Sequence, residues 1–104
     1  DEEYARIYSK HLYETKKYDV KRVSMEVKIK GIDREIIENV TKSLDNEPIT
    51  RIIEMLRTKF SNGFKDEKTK KRFVAKLQRM GYSWNDIKSA FSEFEINIIS
   101  DDDF

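Results

Sequence analysis

The side chains suited to catalysis or metal binding are few, and they do not combine into a site. The chain has a single histidine, His11, and no cysteine. It therefore lacks a histidine or cysteine pair for a zinc site and a cysteine nucleophile, and the sequence suggests no Ser-His-Asp arrangement. No glycine-rich loop indicates a nucleotide site. We expect His11 to be an ordinary residue at the surface or boundary of the first helix. We also expect the protein to be no enzyme and to hold no cofactor or metal ion.

The carboxylates are numerous, but their pattern is that of a solvated surface. Most of the 20 acidic residues are interleaved with lysine and arginine at helical spacing, which is typical of a salt-bridged helix face. Three consecutive aspartates, Asp101, Asp102 and Asp103, would hold a divalent ion only weakly. We expect residues 96–104 to form a flexible, acidic C-terminal tail.

Two basic segments, about fifty residues apart, are hidden by the formal net charge of +1. Residues 16–30 carry six lysines and arginines against two carboxylates, and residues 65–79 carry seven against two. Basic side chains at three- and four-residue spacing form a positive stripe along a helix, the usual electrostatic footprint for phosphate backbones. The alternative is that these lysines only keep the helices soluble. The candidate binding residues are Lys21, Arg22, Lys28, Lys30, Lys68, Lys71, Arg72, Lys76 and Arg79.

Glycine and proline mark where the helices end and begin. Gly31 and Gly81 each follow a charged, helix-forming run, as a C-terminal helix glycine commonly does, and Pro48 suits a first helical turn. After each of these glycines come an apolar residue, a capping residue and a run with apolar positions every three or four residues. Asp33, Asp66 and Ser83 are the expected caps. The predicted helices span residues 2–16, 20–30, 34–45, 48–60, 67–80 and 84–95.

The two halves of the chain repeat each other. Val23 and Val27 lie fifty positions before Phe73 and Leu77, which is also the offset between the two glycines. The fold class expected is all-α, without a sheet: tandem three-helix repeats over 1–46 and 47–95 that stack into a short, right-angled or curved array. The first helix would present Tyr4, Ala5, Tyr8 and Leu12 on one face. The predicted core is Val23, Val27, Ile37, Val40, Ile53, Leu56, Phe73, Leu77, Ile87 and Phe91.

The composition is that of a folded, highly charged domain. Apolar residues make up 38% of the chain, charged residues 39% and aromatic residues 12%. The aromatic share argues against disorder. No apolar run approaches the roughly 20 residues that cross a bilayer, and no signal peptide opens the sequence. We expect a cytoplasmic monomer that does not contact membranes.

Three segments, in order, resemble motifs of the RecX family. The opening DEEYARIYSKHL resembles the pattern D-D-x-x-F/Y-A that begins the second repeat of that family. Val-Lys-Ile-Lys-Gly-Ile at 27–32 resembles its L-x-x-K-G-I/V turn. KKRFVAKLQRMGYSWNDI at 70–87 resembles the third repeat, a basic helix followed by L-x-R/K-R/K-G-F/Y-S/T and a hydrophobic helix. The resemblance covers residues 1–95. Val27 departs from the usual leucine, and Met80 stands where the family often has a basic residue.

The resemblance implies a function in DNA repair and the SOS response. RecX proteins are strings of three-helix repeats, usually three, that regulate the recombinase RecA. They lodge in the groove of the RecA–DNA filament and typically damp ATP hydrolysis and strand exchange. By this resemblance, the basic residues named above are the candidate contacts to the RecA filament and its DNA. The chain would begin at the second repeat of the family, so we expect it to be a fragment.

Two other functions remain open from the sequence. One is a helical protein–protein interaction scaffold with no nucleic-acid role. The other is a helix-turn-helix regulator that reads bases through the helix at 84–95. That helix offers Trp84 and Asn85 near its start, but it is acidic, which is the wrong sign for the major groove. Trp84 would more commonly pack against a neighbouring helix than anchor an interface.

Overall fold

The structure is all-helical, as the sequence predicts. It is a computed structural model that describes the backbone of residues 2–102 and the side chains of residues 2–96. These residues form six helices and no strand. The helices are α1 (Glu2–Glu14), α2 (Val20–Ile29), α3 (Arg34–Lys42), α4 (Pro48–Lys59), α5 (Glu67–Arg79) and α6 (Trp84–Asp102). Within this described part, no helix is both long and apolar enough to cross a membrane.

The end of the last helix was predicted wrongly. The sequence pattern places it at residue 95, with a tail after it, but α6 continues to Asp102. Residues 96–102 contain no glycine or proline, the residues that most strongly interrupt a helix, so nothing in their composition stops it. Asp103, the third aspartate of the expected ion-binding run, lies outside the described residues.

Unit 1 comprises α1, α2 and α3 together with the short segment Met80–Tyr82. Each of its three helices packs against the other two. Its apolar core is Ala5, Leu12, Tyr13, Val23, Val27 and Val40. Ile37, which was predicted to be buried, is only partly buried and packs at the edge of this core.

Segment 80–82 is held in unit 1 by specific hydrogen bonds. The Asp19 backbone N–H donates to the Met80 carbonyl at 2.9 Å. The Tyr82 hydroxyl donates to the Lys17 carbonyl at 2.7 Å. Met80 and Tyr82 are both buried. The turn that follows α5 in sequence therefore contributes two side chains to unit 1, which the repeat pattern does not predict.

Unit 2 comprises α4, α5 and α6, without residues 80–82. In this unit α6 packs against both α4 and α5. Its buried apolar residues are Ile52, Ile53, Leu56, Phe73, Leu77, Ile87, Ala90, Phe91 and Phe94. Apart from Ile37, every residue of the predicted core is buried, in this unit or in unit 1.

Five phenylalanines hold the loop after α4 against the rest of unit 2. The ring centroid of Phe60 lies 4.6 Å from that of Phe64 and 5.1 Å from that of Phe73. Phe64 continues the cluster to Phe91 at 5.5 Å and to Phe94 at 6.4 Å. Aromatic pairs at these separations add to the stability given by burial. Phe60 and Phe64 are thus loop anchors and are not exposed platforms for stacking bases.

Capping residues explain where α5 and α6 begin. The Asp66 carboxylate accepts a hydrogen bond from the Thr69 N–H at 2.7 Å, and the Ser83 hydroxyl accepts one from the Asp86 N–H at 3.2 Å. Hydrogen bonds from Thr69 also hold the pKa of Asp66 below its usual range. Both predicted caps are confirmed. Asp33 occupies the cap position of α3 but makes no side-chain hydrogen bond there, so its predicted capping role is wrong.

Candidate nucleic-acid interface

The predicted basic residues of α5 are all on the surface of unit 2. Phe73 and Leu77 are buried, and the cationic side chains occupy the sides of the helix that these two residues leave free. A helix turns about 100° per residue, so Lys76 lies about 60° around the helix from Phe73 and borders the core. The exposed set is Lys68, Lys71, Arg72, Lys76 and Arg79.

Acidic groups offset the positive charge at the beginning of α5. Asp66 lies close enough to Arg72 for the guanidinium to contribute to its lowered pKa, after the larger effect of the Thr69 hydrogen bonds. Glu67 opens the first turn. Lys70 donates to Glu95 of α6 at 2.6 Å, a hydrogen bond that raises the pKa of Lys70. The first turns of α5 are therefore a mixed-charge surface.

The later turns of α5 gather positive charge instead. Lys59, in the last turn of α4, places its ammonium 5.7 Å from the centre of the Phe73 ring. The nearby ammonium of Lys59 is the largest cause that lowers the pKa of Lys76, and the charge of Arg79 lowers it further. Among the described residues, no carboxylate forms an ion pair with Lys59 or Lys76. Lys59, Lys76 and Arg79 form what we call the basic cluster.

Sequence reasoning missed Lys59. It belongs to a different helix from the stripe, and no periodicity within α5 can indicate it. Two signals existed: a lysine in the last turn of a helix is favoured by the helix dipole, and the next residue, Phe60, is aromatic. Because the Phe60 ring packs on Phe73 at 5.1 Å, Lys59 is brought to the same part of α5.

The basic residues of α2 are arranged differently. Arg22 donates a hydrogen bond from Nε to Glu26 Oε1 at 2.8 Å, and this bond raises the pKa of Arg22. The guanidinium carbon of Arg22 lies 4.5 Å from the centre of the Tyr18 ring. The Lys30 ammonium lies 5.6 Å from the centre of the Tyr8 ring. Lys21 and Lys28 are exposed. Arg22 and Lys30 thus cover aromatic surface of unit 1.

The other residues that the sequence singled out do not form a chemical site. His11 is exposed, and within the described residues no group of three or more His, Cys, Asp or Glu side chains could hold a metal ion. Trp84, in the first turn of α6, is 55% exposed.

Comparisons of the chain with protein-family models, with curated proteins and with solved structures each find no match. The resemblance to the RecX family therefore rests on the three sequence motifs and their order.

Proposed function

We propose that the protein is a non-catalytic regulator that binds DNA, and through it a RecA–DNA filament, by the later turns of α5. The observation that carries the proposal is the basic cluster, where two helices of unit 2 contribute cations and where no carboxylate among the described residues forms an ion pair with Lys59 or Lys76. The order of the RecX-like motifs supports RecA as the partner. The exposed basic residues of unit 1, including Lys21 and Lys28, are further candidate contacts.

The proposed binding is electrostatic and independent of base sequence. Exposed lysine and arginine side chains neutralise phosphates and release condensed counterions, which supplies affinity without reading bases. A protein bound in this way needs no chemistry of its own. By occupying the groove of the filament, it would slow the ATP hydrolysis and strand exchange that RecA performs.

The experiment is a triple charge reversal, Lys71→Glu, Arg72→Glu and Lys76→Glu, compared with the parent protein. Binding to RecA–DNA filaments and inhibition of the RecA ATPase should both weaken at least tenfold, because several phosphate contacts are lost at once. Circular dichroism should show unchanged helical content, since all three side chains are exposed.

A matched control reverses three exposed lysines elsewhere: Lys10→Glu, Lys42→Glu and Lys88→Glu. This variant has the same net charge as the test variant and should bind almost as well as the parent. If the parent binds filaments and both triple variants bind equally well, the α5 stripe is only a solvated face and the proposal is wrong.

A second candidate function, a protein–protein interaction scaffold, is favoured by apolar side chains on the surface of unit 1. Met25 and Ile29 lie one turn apart on α2 and are 58% and 72% exposed. Neighbouring exposed apolar residues are a feature of protein-binding surfaces. If Met25→Ser with Ile29→Ser abolishes RecA binding and the parent protein does not bind DNA, the scaffold function is favoured.

A further inference from the structure

The turn after α4 contains an asparagine followed directly by a glycine, at Asn62 and Gly63. Asn62 is exposed, and neither residue belongs to a helix. Because glycine has no side chain, its backbone nitrogen can approach the amide of the preceding asparagine without steric hindrance. Every other asparagine of the chain is followed by a residue with a side chain. This pair is therefore the place where an asparagine side chain reacts most readily with its own backbone.

The folded turn restrains the pair. The Gly63 N–H donates a hydrogen bond to the Phe60 carbonyl at 2.8 Å. The rings of Phe60 and Phe64, which flank the pair in sequence, have centroids 4.6 Å apart, and Phe64 also stacks on Phe91 at 5.5 Å. A backbone nitrogen whose proton is held in a hydrogen bond is a poor nucleophile. Reaction of the pair therefore requires local opening of the turn.

We propose that Asn62 is a site of spontaneous deamidation whose rate is set by the opening of this turn. In the open turn the Gly63 nitrogen loses its proton and attacks Cγ of Asn62. The bond from Cγ to the side-chain nitrogen breaks, ammonia leaves, and a succinimide ring remains. Water then opens the ring to aspartate or isoaspartate, so the whole reaction consumes one water and releases one ammonia. This modification does not depend on the proposed binding of DNA.

Deamidation changes both the charge and the main chain of the turn. Either product adds a carboxylate three residues after Lys59 of the basic cluster. Isoaspartate also lengthens the main chain by one carbon atom, between residues that the hydrogen bond from Gly63 to Phe60 holds in place. We therefore expect the modified chain to unfold at lower urea concentration than the parent. The reaction is irreversible, so it limits the lifetime of folded unit 2.

The test follows the full chain at mildly alkaline pH, in native buffer and in urea above the unfolding transition. Trypsin cleaves after Lys59 and Lys65 and releases peptide 60–65, whose mass rises when the amide becomes a carboxyl group. The rate in native buffer should be at least about tenfold lower than in urea, because only the open turn reacts. Asn46 is the internal control, since it is exposed and outside a helix but is followed by Glu47. In both conditions it should react more slowly than Asn62.

A variant tests whether the phenylalanine rings control the opening. Phe64→Leu keeps an apolar side chain but removes the ring contacts, so the native rate at Asn62 should rise several-fold towards the rate in urea. Ile53→Val, which loosens the core of unit 2 within α4, is the control and should leave the native rate almost unchanged. Circular dichroism checks that both variants remain helical. If Phe64→Leu does not fold, the comparison of the parent in native buffer and in urea decides alone.

Three results would overturn the proposal. Equal rates in native buffer and in urea would show that the turn exerts no control. Native protein that accumulates no more product at Asn62 than at Asn46 would show that Asn62 is not a modification site. A folded Phe64→Leu variant with the parental rate would show that the rings do not hold the turn closed. An unchanged urea midpoint of the purified modified chain would overturn the limit on lifetime.

Discussion

Ser9 is a polar residue that is buried in unit 1, where an amphipathic helix would usually bury an apolar side chain. Ser9 lies in α1 and is 1% exposed, and its oxygen has no hydrogen-bond partner among the residues that the structure describes. A buried hydroxyl without a partner keeps the cost of its lost hydration, which is about 1–3 kcal/mol. Ser9 is therefore a position where a substitution could make the folded protein more stable.

We expect Ser9→Ala to raise the free energy of unfolding by about 1 kcal/mol, because it removes the desolvated hydroxyl and introduces a better helix former. Urea denaturation with an unchanged m-value would measure the gain. Ser89→Ala, at an exposed position of α6, is the control for helix propensity and should give a smaller gain. A loss of stability in the Ser9 variant would show that the hydroxyl makes a stabilising hydrogen bond.

The contacts of individual residues were predictable only where they are local in sequence. The Arg22–Glu26 ion pair has four-residue spacing, which a helix brings together, so it could have been read directly from the sequence. Lys59 and Lys76 are on different helices, and no spacing rule connects them. The apolar face predicted for α1 includes Tyr4, but the structure leaves Tyr4 half exposed and buries Ser9.

At the scale of helices, the two repeat-equivalent glycines have different surroundings. Gly31 and Gly81 both have positive φ angles, of 78° and 99°. A Cβ atom at Gly31 would meet nothing within 4 Å, whereas one at Gly81 would lie 2.6 Å from Cβ of Arg22. Gly81 is therefore required both for its backbone conformation and for the close approach of α2 within unit 1.

Alanine substitutions at the two glycines should separate these effects. Gly31→Ala should cost about 1–2 kcal/mol, the penalty of a left-handed conformation for a residue with a side chain. Gly81→Ala should cost about 1–3 kcal/mol more, because the backbone of α2 must also shift. Thermal and urea denaturation of both variants would measure the difference. Equal losses would mean that the approach to Arg22 is not rigid.

Helix starts were more predictable than helix ends. All six observed starts fall on the predicted residues. For α3 to α6, expected caps or Pro48 mark the start in the sequence. The end of α6 had no such marker. The sequence pattern also did not predict that Met80 and Tyr82 are part of unit 1. The hydrogen bonds that hold them there join them to Asp19 and Lys17, which are far away in the sequence.

At the scale of the whole molecule, the proposed phosphate binding depends more on where the charges lie along the chain than on the net charge. The formal net charge is only +1, yet the basic cluster has no ion-paired carboxylate at Lys59 or Lys76 among the described residues. The first turns of α5 are partly neutralised by Asp66 and Glu67. The sequence predicted that α5 would be the basic helix of unit 2, but it could not show that Lys59 of α4 adds its charge beside this helix.

The salt dependence of DNA binding follows from this distribution. If about four phosphates are contacted, the plot of log affinity against log salt concentration should have a slope of roughly −3, from about −0.7 per contact with single strands. The slope should be the same for oligonucleotides of different base sequence, because phosphate contacts carry no sequence information. The Lys71, Arg72 and Lys76 reversal should bring the slope towards zero. A slope near zero in the parent, or a strong preference for one duplex sequence, would rule out backbone binding and favour the helix-turn-helix or scaffold function.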